Sequence, residues 1–354
     1  MSGRTEKLKA IISELNLDAL YVTHIPNIRY ISGFSGSSAY LILTNDKDYF
    51  FTDFRYKEQS KEQVKGFEMF VDFAPSIKIS EVIKGAGFKN IGFESTHLTV
   101  SQLETLKHSF PGVNFVPVQE RIERLTMVKT DEELSRIRKA CEITDRVFEK
   151  MLEVIKPGMA EKDVSAEISY WHKKYGADKD SFDPIVASGW RGALPHGIAS
   201  DKIINSGEMV TLDFGCIYDG FCSDLTRTIS VGEPSKEMKK IYDTVLKSQI
   251  MAIKAAKEGV STKEVDKVAR DFINESGYEG KFGHGLGHGL GIEVHEIPSV
   301  SQKMDMLFPA NVVVTIEPGI YVEGLGGVRI EDDIIIKNGG CEIINKAPKE
   351  LIVV

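Results

Sequence analysis

The second part of the chain repeats itself. Lys156-Pro157-Gly158-Met159-Ala160-Glu161-Lys162-Asp163-Val164 resembles Lys257-Glu258-Gly259-Val260-Ser261-Thr262-Lys263-Glu264-Val265, and the same offset carries Gly176 onto Gly277. Further on, Val210-Thr211-Leu212-Asp213-Phe214-Gly215 resembles Val314-Thr315-Ile316-Glu317-Pro318-Gly319 at a slightly larger offset. The two matches fall in the same order in both copies. Few folds accommodate that pattern. Each copy reads as helix, helix, hairpin, and two such units close on one another about a pseudo-twofold axis, with both acidic hairpins facing the centre.

Those hairpins place acids with a definable geometry. Asp219-Gly220 is a strong two-residue turn signal. With that loop Tyr218 faces Phe221, Gly215 faces Asp224 and Asp213 faces Thr226, so Asp213 and Asp224 are diagonal neighbours on one face. With Glu323–Gly327 as the second loop, Val322 faces Val328, Gly319 faces Glu331 and Glu317 faces Asp333. Glu317 and Glu331 are then diagonal neighbours too. Carboxylates that close repel unless cations lie between them. The apolar flanks Val210, Leu212, Val314 and Ile316 argue against a solvated acidic face.

Four of the eight histidines, His196, His284, His288 and His295, fall in the same part of the chain. Gly283-His284-Gly285-Leu286-Gly287-His288-Gly289 is too glycine-rich for a helix and reads as a loop or extended strand approaching a ligand. Asp213, Asp224, His288, Glu317 and Glu331 together form the inventory expected for two divalent ions sharing oxygens. His24, His97, His108 and His172 lack such a context and read as surface or packing residues.

Upstream, Leu8, Ile11, Ile12 and Leu15 mark a helix over 4–16. Strands are expected at 19–23, 39–44, 49–52 and 113–118, with the polar turn 45–48 between the second and third. A small α/β domain over 1–125 and a second domain over 126–354 result. Thr130 and Glu133 form a capping box that opens a long helix ending near Ile155, before Pro157-Gly158.

The net charge of −8 argues against a nucleic-acid partner, since phosphate binding needs a basic face. No apolar run is long enough for a membrane helix, and the charged N-terminus lacks a signal-peptide core, so no membrane partner and a cytoplasmic location are expected. Cys141, Cys216, Cys222 and Cys341 show no CxxC or zinc spacing and read as reduced thiols.

Six ordered motifs carry a family resemblance. They are Ala187-Ser188-Gly189-Trp190-Arg191-Gly192-Ala193-Leu194-Pro195-His196-Gly197, Leu212-Asp213-Phe214-Gly215, Ser223-Asp224-Leu225-Thr226-Arg227-Thr228, Gly283-His284-Gly285-Leu286-Gly287-His288, Glu317-Pro318-Gly319 and Val328-Arg329-Ile330-Glu331-Asp332. With them the chain resembles the metal-dependent Xaa-Pro peptidases, aminopeptidase P and prolidase, of the pita-bread fold. Tyr30–Ser37 and Thr52–Tyr56 resemble the family's N-terminal creatinase-like domain. The resemblance implies an α/β (α+β) chain with a pita-bread C-terminal domain. It makes Asp213, Asp224, His288, Glu317 and Glu331 ligands of two ions, with Asp224 and Glu331 bridging. His196, His284 and His295 match catalytic or substrate-contacting histidines, and Arg329 matches a second-layer or substrate-positioning arginine. Gly192 stands where many relatives carry serine and Trp190 is bulky, which bears on pocket size.

The implied chemistry is attack on the bond before proline by a water shared between two metals, with Glu317 as general base. His284 or His295 stabilises the oxyanion and His196 assists the leaving nitrogen. Oxygen-rich ligands favour Mn²⁺ or Co²⁺, with Zn²⁺ open. A methionine aminopeptidase lacks the first domain, a creatinase-like amidinohydrolase lacks the ligands, and a non-catalytic binding module has no use for them. Thr52–Tyr56 tilts the expectation to an Xaa-Pro aminopeptidase acting on peptides with proline second, with Xaa-Pro dipeptidase as the alternative. A homodimer is expected from the family.

Overall fold

Short apolar strands build the N-terminal unit of the chain. In the computed structural model, which describes residues 2–354, this unit spans Met1–Thr126 and a second unit spans Met127–Val354. The first holds a six-stranded sheet in the order Glu68–Asp72, Tyr49–Asp53, Ala39–Leu43, Ala19–Val22, Asn90–Phe93, Asn114–Pro117. Ile79 and Ile83, one turn apart on helix Pro75–Ala86, cover one face with Tyr21, Ile42, Phe51 and Ile91. Each such side chain contributes about 1.5–3 kcal/mol through burial. The first helix runs Ser2–Glu14. Helix Ile25–Ser32 ends on Gly33, whose φ of 77° lets its N–H reach the Arg29 carbonyl. His24 and His97 stack at 3.5 Å, and His108 is exposed.

The second unit shows the duplication in its hydrogen bonds. Helices Asp131–Val154 and Glu161–Lys174 open the first half, and Lys236–Ala255 and Thr262–Ile273 open the second. Between the paired helices Gly158 and Gly259 are both left-handed, at φ 95° and 79°, and so are Gly176 and Gly277, at 101° and 92°. A side chain at these positions is strained, which is why glycine recurs. Gly158 N–H donates to Ile204 O at 2.9 Å, and Gly259 N–H donates to Phe308 O at 2.9 Å. Ile204 N–H returns to Met159 O at 2.9 Å, and Phe308 N–H to Val260 O at 3.0 Å. The two halves are thus the same unit built twice.

The capping box forms: Thr130 Oγ1 accepts from Glu133 N–H at 3.3 Å and Glu133 Oε2 accepts from Thr130 N–H at 2.8 Å. From there Val147, Phe148 and Met151 pack on Val164 and Ile168 and on strand residues Leu212 and Phe214. In the second half Ile241, Val245, Val265 and Ala269 pack on Val314, Ile316 and Ile334. Each helix pair therefore backs one acidic ribbon. His172 is buried, with Nδ1 2.6 Å from Asp180 Oδ1. The four cysteines are free thiols. No helix among the described residues is long and apolar enough to cross a membrane.

Candidate metal centre

The first ribbon takes the register read from its turn. Tyr218 faces Phe221 and Asp213 faces Thr226. Asp219 and Gly220 have φ of 45° and 76°, as a type I′ turn requires.

The second ribbon does not. Val322 faces Gly326 rather than Val328, and Thr315 rather than Glu317 faces Asp333. The loop is Glu323–Leu325, closed by Leu325 N–H on Val322 O at 3.0 Å. Gly326 and Gly327 belong to the strand because backbone crowds them. A Cβ on Gly327 would lie 2.1 Å from Gly192 O, and one on Gly326 would lie 2.8 Å from Gly189 O. They are glycines for close approach, not for turning. The ladder from Thr315↔Asp333 to Gly319↔Arg329 sets Glu317 directly across from Glu331 instead of diagonally. Gly192 and Trp190, expected to bear on pocket size, stand away from it. Gly192 packs on Gly327, Trp190 is exposed, and neither lines the central cavity.

The ribbons are bonded to each other. Glu331 N–H donates to Thr226 O at 3.0 Å, and the Thr228 hydroxyl donates to Arg329 O at 2.9 Å. Thr226 Oγ1 donates to Glu331 Oε2 at 2.7 Å, aiming that carboxylate. Asp333 Oδ2 accepts Asp224 N–H at 2.9 Å and so fixes the backbone beneath Asp224.

A third strand, Gly287–Gly289, brings in His288. It approaches so closely that a Cβ on Gly287 would sit 2.0 Å from Thr315 O. His288 Nδ1 lies 3.1 Å from Gly289 O, an arrangement that needs the proton on Nδ1. Nε2 is left with its lone pair 3.5 Å from Glu317 Oε1 and 3.8 Å from Asp224 Oδ2. Arg270 on helix Thr262–Ile273 holds the preceding loop, donating to Phe282 O and His284 O at 2.7 Å while gripping Asp266.

Asp224, His288 and Glu331 each offer one ligand atom within 4.8 Å of the others. Glu317 stands beside them, and Asp213 lines the same cavity of about 420 Å³, with its Oδ2 accepting from Arg329 at 2.5 Å. All five expected ligands are thus brought to one place. Asp224 Oδ1 and Glu331 Oε1 are buried without a hydrogen-bond partner. Burial, then repulsion from neighbouring acids, pushes the Asp224 and Glu331 carboxyls well up. Burial lifts Glu317 to about 8 against the pull of Arg329. Buried acids that repel one another and lack partners call for cations, and an oxygen-rich set with one imidazole suits divalent ones. The residues fit such a group.

A pH dependence follows for the metal-free protein. An acid whose folded pKa lies above its unfolded value binds more protons when folded, so stability falls as pH rises between the two. For Glu317 that window runs from about 4.5 to about 8. The melting temperature of chelator-treated protein is expected to drop from pH 5 to pH 8, and added Mn²⁺ to raise it more at pH 8. A flat profile would contradict the charge crowding.

The histidines divide. His196 and His295 are exposed at the cavity, and the His295 ring meets His288 edge-on at 4.4 Å. His284 has both nitrogens engaged, Nδ1 at 2.8 Å from Gly285 O and Nε2 at 2.8 Å from the Tyr321 hydroxyl. Arg329 donates to that hydroxyl at 2.9 Å and to Asp213, so Tyr321 donates onward to His284 Nε2. Burial, then Arg329, lowers His284 to about 4 and keeps it neutral. In this arrangement His284 has no free N–H to offer an oxyanion. Tyr321 was missed at the sequence level, although alternation from Glu317 through Gly319 puts it on the same face.

Comparison with known proteins identifies the two domains. Residues 135–338 match the family model for metallopeptidase family M24, and residues 4–128 match that for the creatinase/prolidase N-terminal domain. The fold matches an Xaa-Pro dipeptidase from Bacillus anthracis with a TM-score of 0.96 at 42% identity, covering 100% of this chain and 99% of that one. An X-Pro aminopeptidase from Thermotoga maritima gives 0.92 at 39% identity, covering 99% of each. An Xaa-Pro dipeptidase of Pyrococcus furiosus is 40% identical over 99% of this chain and 100% of its own length.

Proposed function

Because the chain belongs to metallopeptidase family M24, we propose that it is an Xaa-Pro dipeptidase, a hydrolase that splits dipeptides ending in proline. The observation that carries the reaction is the buried acid cluster of Asp224, Glu331 and Glu317 around His288 Nε2, in which Asp224 Oδ1 and Glu331 Oε1 have no hydrogen-bond partner. The preference for dipeptides is supported by relatives named Xaa-Pro dipeptidase at 39–42% identity over nearly the whole chain. That support outweighs the tilt toward aminopeptidase from Thr52–Tyr56.

Asp213, Asp224, His288, Glu317 and Glu331 would hold two divalent cations, Mn²⁺ or Co²⁺ ahead of Zn²⁺ on donor chemistry. When bound, these supply a water acidic enough to attack at neutral pH and polarise the scissile carbonyl. Glu317, which lines the cavity beside His288 Nε2, takes the proton of the attacking water. His295 donates to the oxyanion, since His284 is committed to Tyr321 and Gly285. The bond to proline nitrogen is a tertiary amide, so the departing nitrogen must be protonated, and His196 delivers that proton. Phe182, Ile185, Pro195 and Val294 give the cavity an apolar wall for the proline ring.

The test is a comparison of Ala-Pro with Ala-Pro-Ala on Mn²⁺-loaded protein. The dipeptide is expected to have the higher kcat/KM by at least about tenfold, a difference of about 1.4 kcal/mol. Faster cleavage of the tripeptide would return the reading to an aminopeptidase.

A further inference from the structure

His295 is carried on the irregular loop 290–295 rather than on a strand. A donor to a developing oxyanion has to be held within about 0.5 Å of its working position, so something must fix that loop. The restraint comes from the next residue. Glu296 turns its carboxylate back onto the loop, where Oε1 accepts from Ile292 N–H at 2.7 Å and from Glu293 N–H at 3.2 Å. Gly291 N–H adds a bond to Glu293 O at 3.0 Å. The segment that bears His295 is thereby closed on itself.

The other oxygen of that carboxylate meets a lysine from a distant part of the chain. Lys129 Nζ stands 2.6 Å from Glu296 Oε2, and the two side chains are 2% and 8% exposed. Lys129 is itself firmly placed, between Val128, which bridges to Val312, and Thr130, which caps the long helix Asp131–Val154. Its own N–H donates to Asn311 O at 3.0 Å. The loop is also tied to the first ribbon, since Cys222 N–H, two residues before Asp224, donates to Gly291 O at 2.7 Å. Gly291 is a glycine for close approach: a Cβ there would lie 2.5 Å from Glu296 Oε1 and 2.7 Å from Lys129 Cε.

An ion pair this buried contributes little net stability, because desolvating both charges offsets their attraction. Geometry is what it can supply, and the group next to it in the chain is His295, at the metal cavity. We infer that Lys129 and Glu296 are positioning residues, whose buried ion pair sets loop 290–295 so that His295 meets the reacting carbonyl. This rests on the reading of His295 as the oxyanion donor. Neither Lys129 nor Glu296 lines the cavity, so the effect falls on turnover rather than on substrate affinity or metal content.

The experiment uses the Mn²⁺-loaded full chain and Ala-Pro, with Lys129→Met introduced into the parent and into His295→Ala. In the parent, Lys129→Met is expected to lower kcat about tenfold or more, with KM and bound metal within about twofold of the parent values. In His295→Ala no donor is left to misplace, so the same substitution should change kcat by less than about twofold. Gly291→Ala keeps both charges and wedges the carboxylate off the loop. It should repeat the pattern, and it decides the question if Lys129→Met does not fold. Equal losses in both backgrounds, an unchanged kcat in the parent, or loss of metal would overturn the positioning role and leave the dipeptidase reading intact. If His295→Ala itself keeps full kcat, the oxyanion role of His295 falls and takes this inference with it.

Discussion

Glu331→Ala is expected to lower activity by at least about a thousandfold and to lose bound metal, because the water is no longer acidified. Glu331 lies directly across from Glu317, with Oε2 oriented by Thr226 Oγ1 at 2.7 Å and Oε1 buried and unpartnered. Alanine removes both oxygens from the cluster and leaves Asp213, Asp224, His288 and Glu317 to hold two cations without the carboxylate that faces Glu317. Metal content by elemental analysis, measured beside Ala-Pro hydrolysis, checks this directly. His196→Ala is the control: it should slow turnover while metal content stays near the parent value. Full metal occupancy in Glu331→Ala, or metal loss in His196→Ala, would reverse the roles given to these residues.

Arg227→Leu is expected to destabilise the fold by about 3–5 kcal/mol, the usual effect of breaking a buried ion pair from one side. Arg227 is 1% exposed and its guanidinium donates to Asp332 Oδ1 at 2.7 Å, Ala347 O at 2.8 Å and Pro348 O at 2.9 Å. It also donates to the carbonyls of Thr226 and Glu331, one from each acidic ribbon. The two copies of the repeat and the C-terminal segment are therefore joined through one side chain. Asp332 keeps Gln249 and Lys349 as partners, which lessens the charge left behind. In a unit of this size the loss corresponds to roughly 6–20 °C in melting temperature. Adding Asp332→Asn should restore part of it. A change below about 1 kcal/mol in urea unfolding would mean that the network holds without the arginine.

Glu331 and Arg227 both lie on the acidic ribbons, yet only the first was assigned a role from the chain. Glu331 is an acid that the hairpin pattern sets close to a second acid, Glu317, and such a conflict is visible locally. Arg227 looks like any surface arginine until its five acceptors are assembled from segments more than a hundred residues apart. Tyr321 is similar: its face follows from Glu317, but its bond to His284 depends on a loop approaching from another strand.

The glycines draw the same line. Gly158 and Gly259 were legible because a left-handed turn after a helix is a property of a few consecutive residues, and their recurrence exposed the duplication. Gly326 and Gly327 were misread as loop because what requires glycine there is the backbone of Gly189 and Gly192, brought alongside only by folding. Periodicity, turn chemistry and the repeat are short-range and survive in the linear chain, so helix pairs, ribbons and the list of acids could be taken from it. Which hydrogen bonds those acids receive and which histidine keeps a free nitrogen depend on contacts between distant segments. Those contacts exist only once the two copies have packed together, so packing alone decided them.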